Sequence, residues 1–237
     1  MIRLIIALLF VFIFFAFSII LYPIYYIIGL FNKERMHKIS LATIQWVFRV
    51  ILFISGVKVD VKGKENVPDG PVLYVANHRS DFDVLIGYSQ VDRLTGFISK
   101  KEVKKVPFLS WWMYYMNCLF LDRNSVKEGL KTILEAIELE KKGISIFIFP
   151  EGTRSRDGKV AEFKGGSFKI AEKSGVPIVP IAINRTEEIF ENQEPRIKPA
   201  RVSFEYCEPI YTADLSRDEK KLLAEKARNA IIEKLNA

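Results

Sequence analysis

Residues 4–31 form a run of 28 positions without a charge, and Leu4 to Phe17 contain nothing polar at all. As a straight helix this run would measure roughly 42 Å, longer than the roughly 30 Å hydrocarbon core of a bilayer. Pro23 predicts a kink in it, and Tyr22, Tyr25 and Tyr26 carry the amphipathic rings favoured at a membrane interface. A cleaved signal peptide would have a shorter apolar core, more basic residues than Arg3 ahead of it and a small-residue cleavage site behind it. A second apolar stretch, Ser40 to Gly56, is interrupted by Gln45 and Arg49. A central arginine is costly in a spanning helix and natural in one lying at the interface.

From about residue 57 the pattern changes. Val57 to Lys62 alternates as a strand does, and Pro71–Ala76, Leu94–Ser99, Cys118–Leu121, Ile144–Phe149 and Ile178–Ile183 are five further strand candidates. Amphipathic helices separate them. Ser125-x-x-Glu128 opens one by the capping-box rule, with Leu130, Ile133, Leu134 and Ile137 as its apolar stripe and Gly143 after its last turn. Ser167 to Lys173, stopped by Gly175, predicts another, and Ser216-x-x-Glu219 opens a C-terminal helix with Leu223, Ala227, Ile231 and Leu235 on one side. Strands alternating with helices predict an α/β fold, a mostly parallel or mixed central sheet flanked by helices. The division is a two-helix membrane-anchoring module over 1–56 and an α/β domain over 57–237.

Charge sharpens the anchor. The net charge of +7 is uneven: residues 1–56 carry five Lys/Arg against one Glu, leaving +3 for the remaining 181 residues. Anionic headgroups attract such a segment. Lys33, Arg35 and Lys38 sit between the two apolar stretches, against Glu34. Two spanning helices would put this basic loop opposite the catalytic domain, against the positive-inside tendency. A hairpin dipping into one leaflet of the cytoplasmic membrane, with the catalytic domain facing the cytoplasm, avoids that conflict; a single span followed by an interfacial helix is the alternative. No zinc-finger spacing or basic-aromatic nucleic-acid signature is present, and Cys118 and Cys207 build neither a disulfide framework nor a metal cluster.

Candidate chemistry concentrates in Asn77-His78-Arg79-Ser80-Asp81-Phe82-Asp83, where a strand candidate meets a helix-like run. Imidazole can take a proton from a hydroxyl near neutral pH, and a carboxylate beside it can fix its tautomer and steady the imidazolium. Ser80-x-x-Asp83 also fits a plain capping box, which explains Asp83 without explaining His78. No G-x-S-x-G nucleophile motif occurs, so the hydroxyl to be activated belongs to a substrate, which points to acyl transfer. Strand candidates end in Lys100-Lys101, Asp122-Arg123, Pro150-Glu151-Gly152-Thr153-Arg154 and Asn184-Arg185. Ligands of open α/β sheets collect at the carboxyl ends of strands, so one candidate base and several cations predict a ligand with a hydroxyl and an anion, such as a phosphate.

On these residues the chain resembles the glycerolipid acyltransferases, among them the bacterial enzymes that acylate 1-acyl-glycerol-3-phosphate. The resemblance covers about residues 65 to 185. Asn77, His78 and Asp83 match the first motif; Lys100-Lys101-Glu102, Pro107 and Phe120 to Arg123 the second; Phe149 to Ser155 the third, F-P-E-G-T-R-S, without change; Val176 to Pro180 the fourth. Ser110 stands at the glycine of P-x-x-G-W.

The resemblance implies a glycerol-3-phosphate acyltransferase-like fold and the making of phosphatidate from lysophosphatidic acid and an acyl thioester, acyl-CoA or acyl carrier protein, with no cofactor or metal. It implies His78 as base, Asp83 as its support, and Lys100, Arg123 and Arg154 as holders of the acceptor phosphate. Glu151, Gly152 and Thr153 would bind or position the acceptor, with Glu151 turned towards an arginine or the glycerol hydroxyl. Backbone N–H groups around Gly152 or at the helix start after Ser80 are physically reasonable oxyanion donors. The alternatives are acylation of glycerol-3-phosphate or another lysophospholipid, and, in a different class, a non-catalytic membrane lipid-binding protein. Val106 to Leu121, with six aromatic residues, reads either as core or as an acyl pocket.

Overall fold

The computed structural model describes residues 1–236. Two long helices, α1 (Ile2–Phe31) and α2 (Lys33–Ser55), precede a layered body. Along the chain follow β1 (Lys58–Lys62), β2 (Leu73–Ala76), α3 (Phe82–Gln90), β3 (Thr95–Lys100), α4 (Leu109–Tyr115), β4 (Leu119–Leu121) and α5 (Val126–Lys141). Then come β5 (Ser145–Ile148), α6 (Lys169–Ser174), β6 (Ile178–Asn184), β7 (Arg201–Tyr206), α7 (Arg217–Lys221) and α8 (Leu223–Asn236).

The strands form one sheet in the order β1-β7-β6-β2-β5-β3-β4. β2 to β6 run parallel, β7 lies antiparallel to β6, and β1 is parallel to β7. The sheet is therefore mixed, with a parallel centre. Period-two alternation puts Tyr74 and Ala76 of β2 into one apolar layer, which includes α1 to α4, and Leu73 and Val75 into the other, which includes α5, α6 and α8. A parallel sheet covered on both faces needs such near-continuous apolar strands. Sequence reading missed β7, although Val202, Phe204 and Tyr206 alternate as buried residues with partners that are less so.

Capping is as the sequence predicts. Ser125 Oγ accepts from Glu128 N, and Ser216 with Glu219 completes a full capping box ahead of α7. The apolar stripe of α5 differs. Leu130 and Leu134 are exposed, while Thr132, Ala136, Ile137 and Glu140 are buried. The helix is rolled by its side contact with α6, where Glu140 Oε2 accepts from the Ser174 hydroxyl at 2.6 Å.

α1 and α2 are antiparallel, tied at the open end by Arg3 Nη1 donating to Ile54 O at 2.6 Å. α1 is continuous through Pro23. Both helices are long and apolar enough to cross a membrane, with mean hydropathy 3.3 and 1.5 over their most apolar windows. Yet α2 turns its polar residues to the body. Gln45 Nε2 donates to Tyr88 O and Val91 O, Arg49 Nη2 donates to Ser89 O at 3.1 Å, and His37 Nδ1 meets Tyr115 O at 2.6 Å. Arg49, expected to face an interface, satisfies a carbonyl in the last turn of α3, where orphan acceptors need donors.

α1 lies outside this pair and packs on α4. Phe14 stacks on Trp112, Tyr22 stacks on Tyr115, and Trp112 Nε1 donates to Ser18 Oγ at 2.8 Å. Trp112, Met113, Tyr115 and Met116 are thus core residues that join the helical pair to the body.

Candidate active site

Asn77 stands where β2 leaves the sheet, and its buried amide clasps the neighbouring strand. Nδ2 donates to Ile183 O and Oδ1 accepts from Ile183 N, both at 2.8 Å. The next residue is thereby projected from a fixed point at the carboxyl edge. His78 Nδ1 lies 2.9 Å from Asp83 Oδ2. That same oxygen accepts from the backbone N–H of Arg79 at 2.7 Å and of Ser80 at 2.8 Å. Only one half of the expected capping box is present, the Asp83 carboxylate accepting from Ser80 N, since Asp83 N donates to Ser80 O and the Ser80 hydroxyl accepts from Phe82 N. An oxygen already accepting two N–H groups is an acceptor towards the ring as well, so the ring donates from Nδ1, an arrangement that in the neutral imidazole leaves the lone pair on Nε2. Asp83 is fully buried, and the imidazole is 16% exposed. Its ring stacks on Phe149, with centroids 4.2 Å apart.

The turn after β5 braces the histidine from the other side. Glu151 Oε1 accepts from His78 N at 2.7 Å, and its Oε2 accepts from Ala161 N at 2.8 Å. Ser155 N donates to His78 O at 2.9 Å. Glu151 is 5% exposed, and burial raises its pKa above the usual carboxylate value while the two backbone donors pull it back. Each of its oxygens accepts from a backbone N–H, and no arginine bonds to it among the described residues, although an arginine or the glycerol hydroxyl was expected there from the sequence. It holds the loop that carries the base.

Gly152 sits at φ +77, a conformation that favours glycine, and a Cβ there would lie 2.8 Å from the flexible end of Lys164, Nζ, which would have to move aside. Its N–H donates to Phe149 O. The helix start after Ser80 is equally occupied: Asp81 N donates to Glu191 Oε1 and Phe82 N to Ser80 Oγ. Gly152 N, Asp81 N and Phe82 N are thus engaged within the protein, whereas the N–H groups of Thr153 and Arg154, beside Gly152, make no hydrogen bond among the described residues. Thr153 is exposed.

The three expected phosphate ligands line no common cavity among those described. Arg154 Nη1 is paired with Asp81 Oδ2 at 2.6 Å and with Glu191 Oε1 at 3.3 Å. It lines a cavity of about 410 Å³ together with Arg79, Arg156, Glu187, Glu191 and Glu194. Arg123 lines a different, smaller cavity with Gly152 and Lys164, and Lys100 lines neither. Sequence reading passed over Arg79, Arg156 and Lys164. Arg79 donates to Gly158 O at 2.6 Å and to Asn184 Oδ1 at 3.2 Å, linking the loops after β5 and β6. Its place inside the His78–Asp83 motif was a usable signal; Lys164, far along the chain from both histidine and β4, offered none.

A mixed α/β sheet presenting a carboxylate-bonded imidazole and several cations at its carboxyl edge has the groups that acyl transfer to a substrate hydroxyl would use. The chain belongs to the Acyltransferase family, whose pattern it matches over residues 58–184. It is 38% identical to the 1-acyl-sn-glycerol-3-phosphate acyltransferase BAT2, chloroplastic, of Brassica napus over 76% of this chain, and spans about half (51%) of that relative's length. The 1-acyl-sn-glycerol-3-phosphate acyltransferase of Escherichia coli (strain K12) is 30% identical over 82% of this chain and 79% of its own. Among solved structures, the 1-acyl-sn-glycerophosphate (LPA) acyltransferase PlsC from Thermotoga maritima superposes with a TM-score of 0.72 at 32% identity, covering 98% of this chain and 97% of that one.

Proposed function

We propose that the protein transfers a fatty acyl group from an acyl thioester, acyl-CoA or acyl carrier protein, to the sn-2 hydroxyl of 1-acyl-sn-glycerol-3-phosphate, forming phosphatidate. The observation that carries this reading is the His78 ring, partly exposed, with its Nδ1 held 2.9 Å from the buried Asp83 Oδ2. Nε2 takes the hydroxyl proton as the acceptor oxygen attacks the thioester carbonyl carbon. The C–O bond forms and a tetrahedral intermediate results. Its collapse breaks the C–S bond, and the imidazolium returns the proton to the departing thiolate. Asp83 stabilises the transient cation without itself becoming protonated. Cations around the edge of the sheet suit an acceptor that carries a phosphate monoester.

The anchor belongs to the same reading. α1 leaves Phe12, Phe17, Leu30 and Phe31 exposed, each worth roughly 1.5–3 kcal/mol once removed from water. With its inner side packed on α2 and α4, α1 suits a hairpin held in one leaflet of the cytoplasmic membrane, the catalytic domain on the cytoplasmic side.

The test is turnover by purified protein in mixed micelles, with both donors and with 1-acyl-glycerol-3-phosphate, glycerol-3-phosphate and neutral monoacylglycerol as acceptors. The expected result is phosphatidate from the first acceptor, poor use of the neutral one, and a 10²–10⁴-fold loss of turnover in His78→Ala, the usual worth of a general base. A His78→Ala protein with near-parental turnover overturns the reading.

A further inference from the structure

At the carboxyl ends of β3, β4 and β5 lies a small cavity of about 30 Å³, lined by Ser99, Arg123, Phe149, Gly152, Lys164 and Ser167 among others. By this measure a water-sized group needs about 10–15 Å³, so the space suits two or three oxygen-sized atoms. Arg123 and Lys164 are its charged lining residues, and no carboxylate lines it. The acid next to Arg123 in the chain, Asp122, is already paired with Lys101 at 2.7 Å. The larger cavity around Arg154 is different: Glu187, Glu191 and Glu194 share its wall, and Arg154 is bonded to Asp81 and Glu191. A dianion entering there meets three glutamates alongside Arg79, Arg154 and Arg156, with Arg154 already engaged and Arg79 bonded to Asn184 and Gly158. In the small cavity it meets two cations and hydroxyls.

Lys164 is well placed to act there. Its backbone N–H donates to Pro150 O at 3.1 Å and its carbonyl accepts from Ser167 N at 3.0 Å, which ties it to the turn bracing His78. Its side chain lies along Gly152, where a Cβ would come within 2.8 Å of Nζ and 3.2 Å of Cε. Phe149, whose ring stacks on His78, forms part of the same wall, so the cavity adjoins the base.

We propose that Lys164 is a specificity-determining residue of the acceptor site, an ammonium that completes with Arg123 a clamp on the acceptor's phosphate monoester. This rests on the reading of the acceptor given above. It also assigns Gly152 a second task, to leave room for the lysine.

The experiment compares full-length Lys164→Ala, Lys164→Arg and Arg123→Ala with the parent, measuring kcat, acceptor KM and acyl-CoA KM separately, with the inhibition constant of glycerol-3-phosphate as a second probe of the clamp. Lys164→Ala retains both backbone bonds, and its melting temperature checks the fold. Expected are an acceptor KM raised roughly 10- to 100-fold, the size of a lost charge-assisted hydrogen bond, a matching loss of glycerol-3-phosphate inhibition, an unchanged acyl-CoA KM, and substantial recovery in Lys164→Arg. If Arg123→Ala raises the acceptor KM and Lys164→Ala does not, the proposal fails while the phosphate reading stands. If the acyl-CoA KM rises instead, the lysine serves the donor and the proposal is equally overturned. A parent enzyme that acylates neutral monoacylglycerol as well as the phosphate-bearing acceptor overturns the reading and the clamp together.

Discussion

Asp83 Oδ2 receives three contacts, from the His78 ring and from the N–H groups of Arg79 and Ser80. One carboxylate oxygen thus starts a helix and sets a tautomer. Asp83→Asn keeps an acceptor for the backbone but can offer an N–H to Nδ1, which moves the ring proton to Nε2 and disables the base. Turnover should fall 10²–10⁴-fold, whereas the loss of cap strength should cost only about 1 kcal/mol. Parallel measurement of kcat and the unfolding midpoint separates the two effects; equal proportional losses would make Asp83 a cap and nothing more. Glu151 acts one step further from the chemistry, through the backbone of His78. Glu151→Gln turns an amide donor towards one of two buried N–H groups, at a cost of about 1–3 kcal/mol. It should lower kcat with little change in acceptor KM, and a large KM effect instead would mean direct contact with the acceptor.

Between elements, the contact of α5 with α6 contains a buried ionisable group. Burial raises the pKa of Glu140 from 4.5 to about 7, and the Ser174 hydroxyl offsets this only in part. The folded protein therefore prefers the protonated acid. The stability this group contributes is complete below pH 4.5, declines as pH rises, and is gone above about 7. Its size is on the order of 3 kcal/mol. Glu140→Gln should flatten the fall in unfolding midpoint over this window, since the amide cannot ionise. Midpoints of variant and parent that stay parallel from pH 5 to 8 would show that the carboxyl is not titrating in the fold. At the same scale α4 is an adaptor: Trp112 and Tyr115 bind the outer helix to a body whose sheet they do not join.

For the molecule as a whole, the helical pair and the α/β body share one apolar cluster, running from Ala7 and Phe14 through Trp112 to the sheet face. Carrying α1 across a bilayer would detach it from α4 or pull that contact into the lipid. The one-leaflet arrangement predicts association with membranes that resists high salt, since burial of the outer apolar side is not screened. It also predicts that single cysteines placed at Lys33 to Lys38 label from the same side as one at residue 150. Labelling of the 33–38 loop from the opposite side would establish two true spans.

Much of this protein is written locally. The strand candidates at 57–62, 71–76, 94–99, 118–121, 144–149 and 178–183 all became strands, and Ser125, Ser216 and Gly175 bound helices as their chemistry predicts. The H-x4-D spacing likewise suffices to put His78 and Asp83 together, because a strand end followed by a first helical turn folds those six residues back on themselves. Such features depend on neighbours within a few positions, which period-two and period-3.6 patterns encode. Other features depend on which distant segments the sheet order makes adjacent. Glu151 reaches His78 across 73 positions, Gln45 and Arg49 turn to α3 instead of lipid, and Lys164 comes to lie along Gly152. Of the cations that looked like one set when counted at strand ends, Arg154 and Arg123 line different cavities, with carboxylates in the first and none in the second, and Lys100 lines neither. Which charges meet is settled by the path of the chain between strands, since side chains far apart in sequence interact only where packing brings them within a few ångströms.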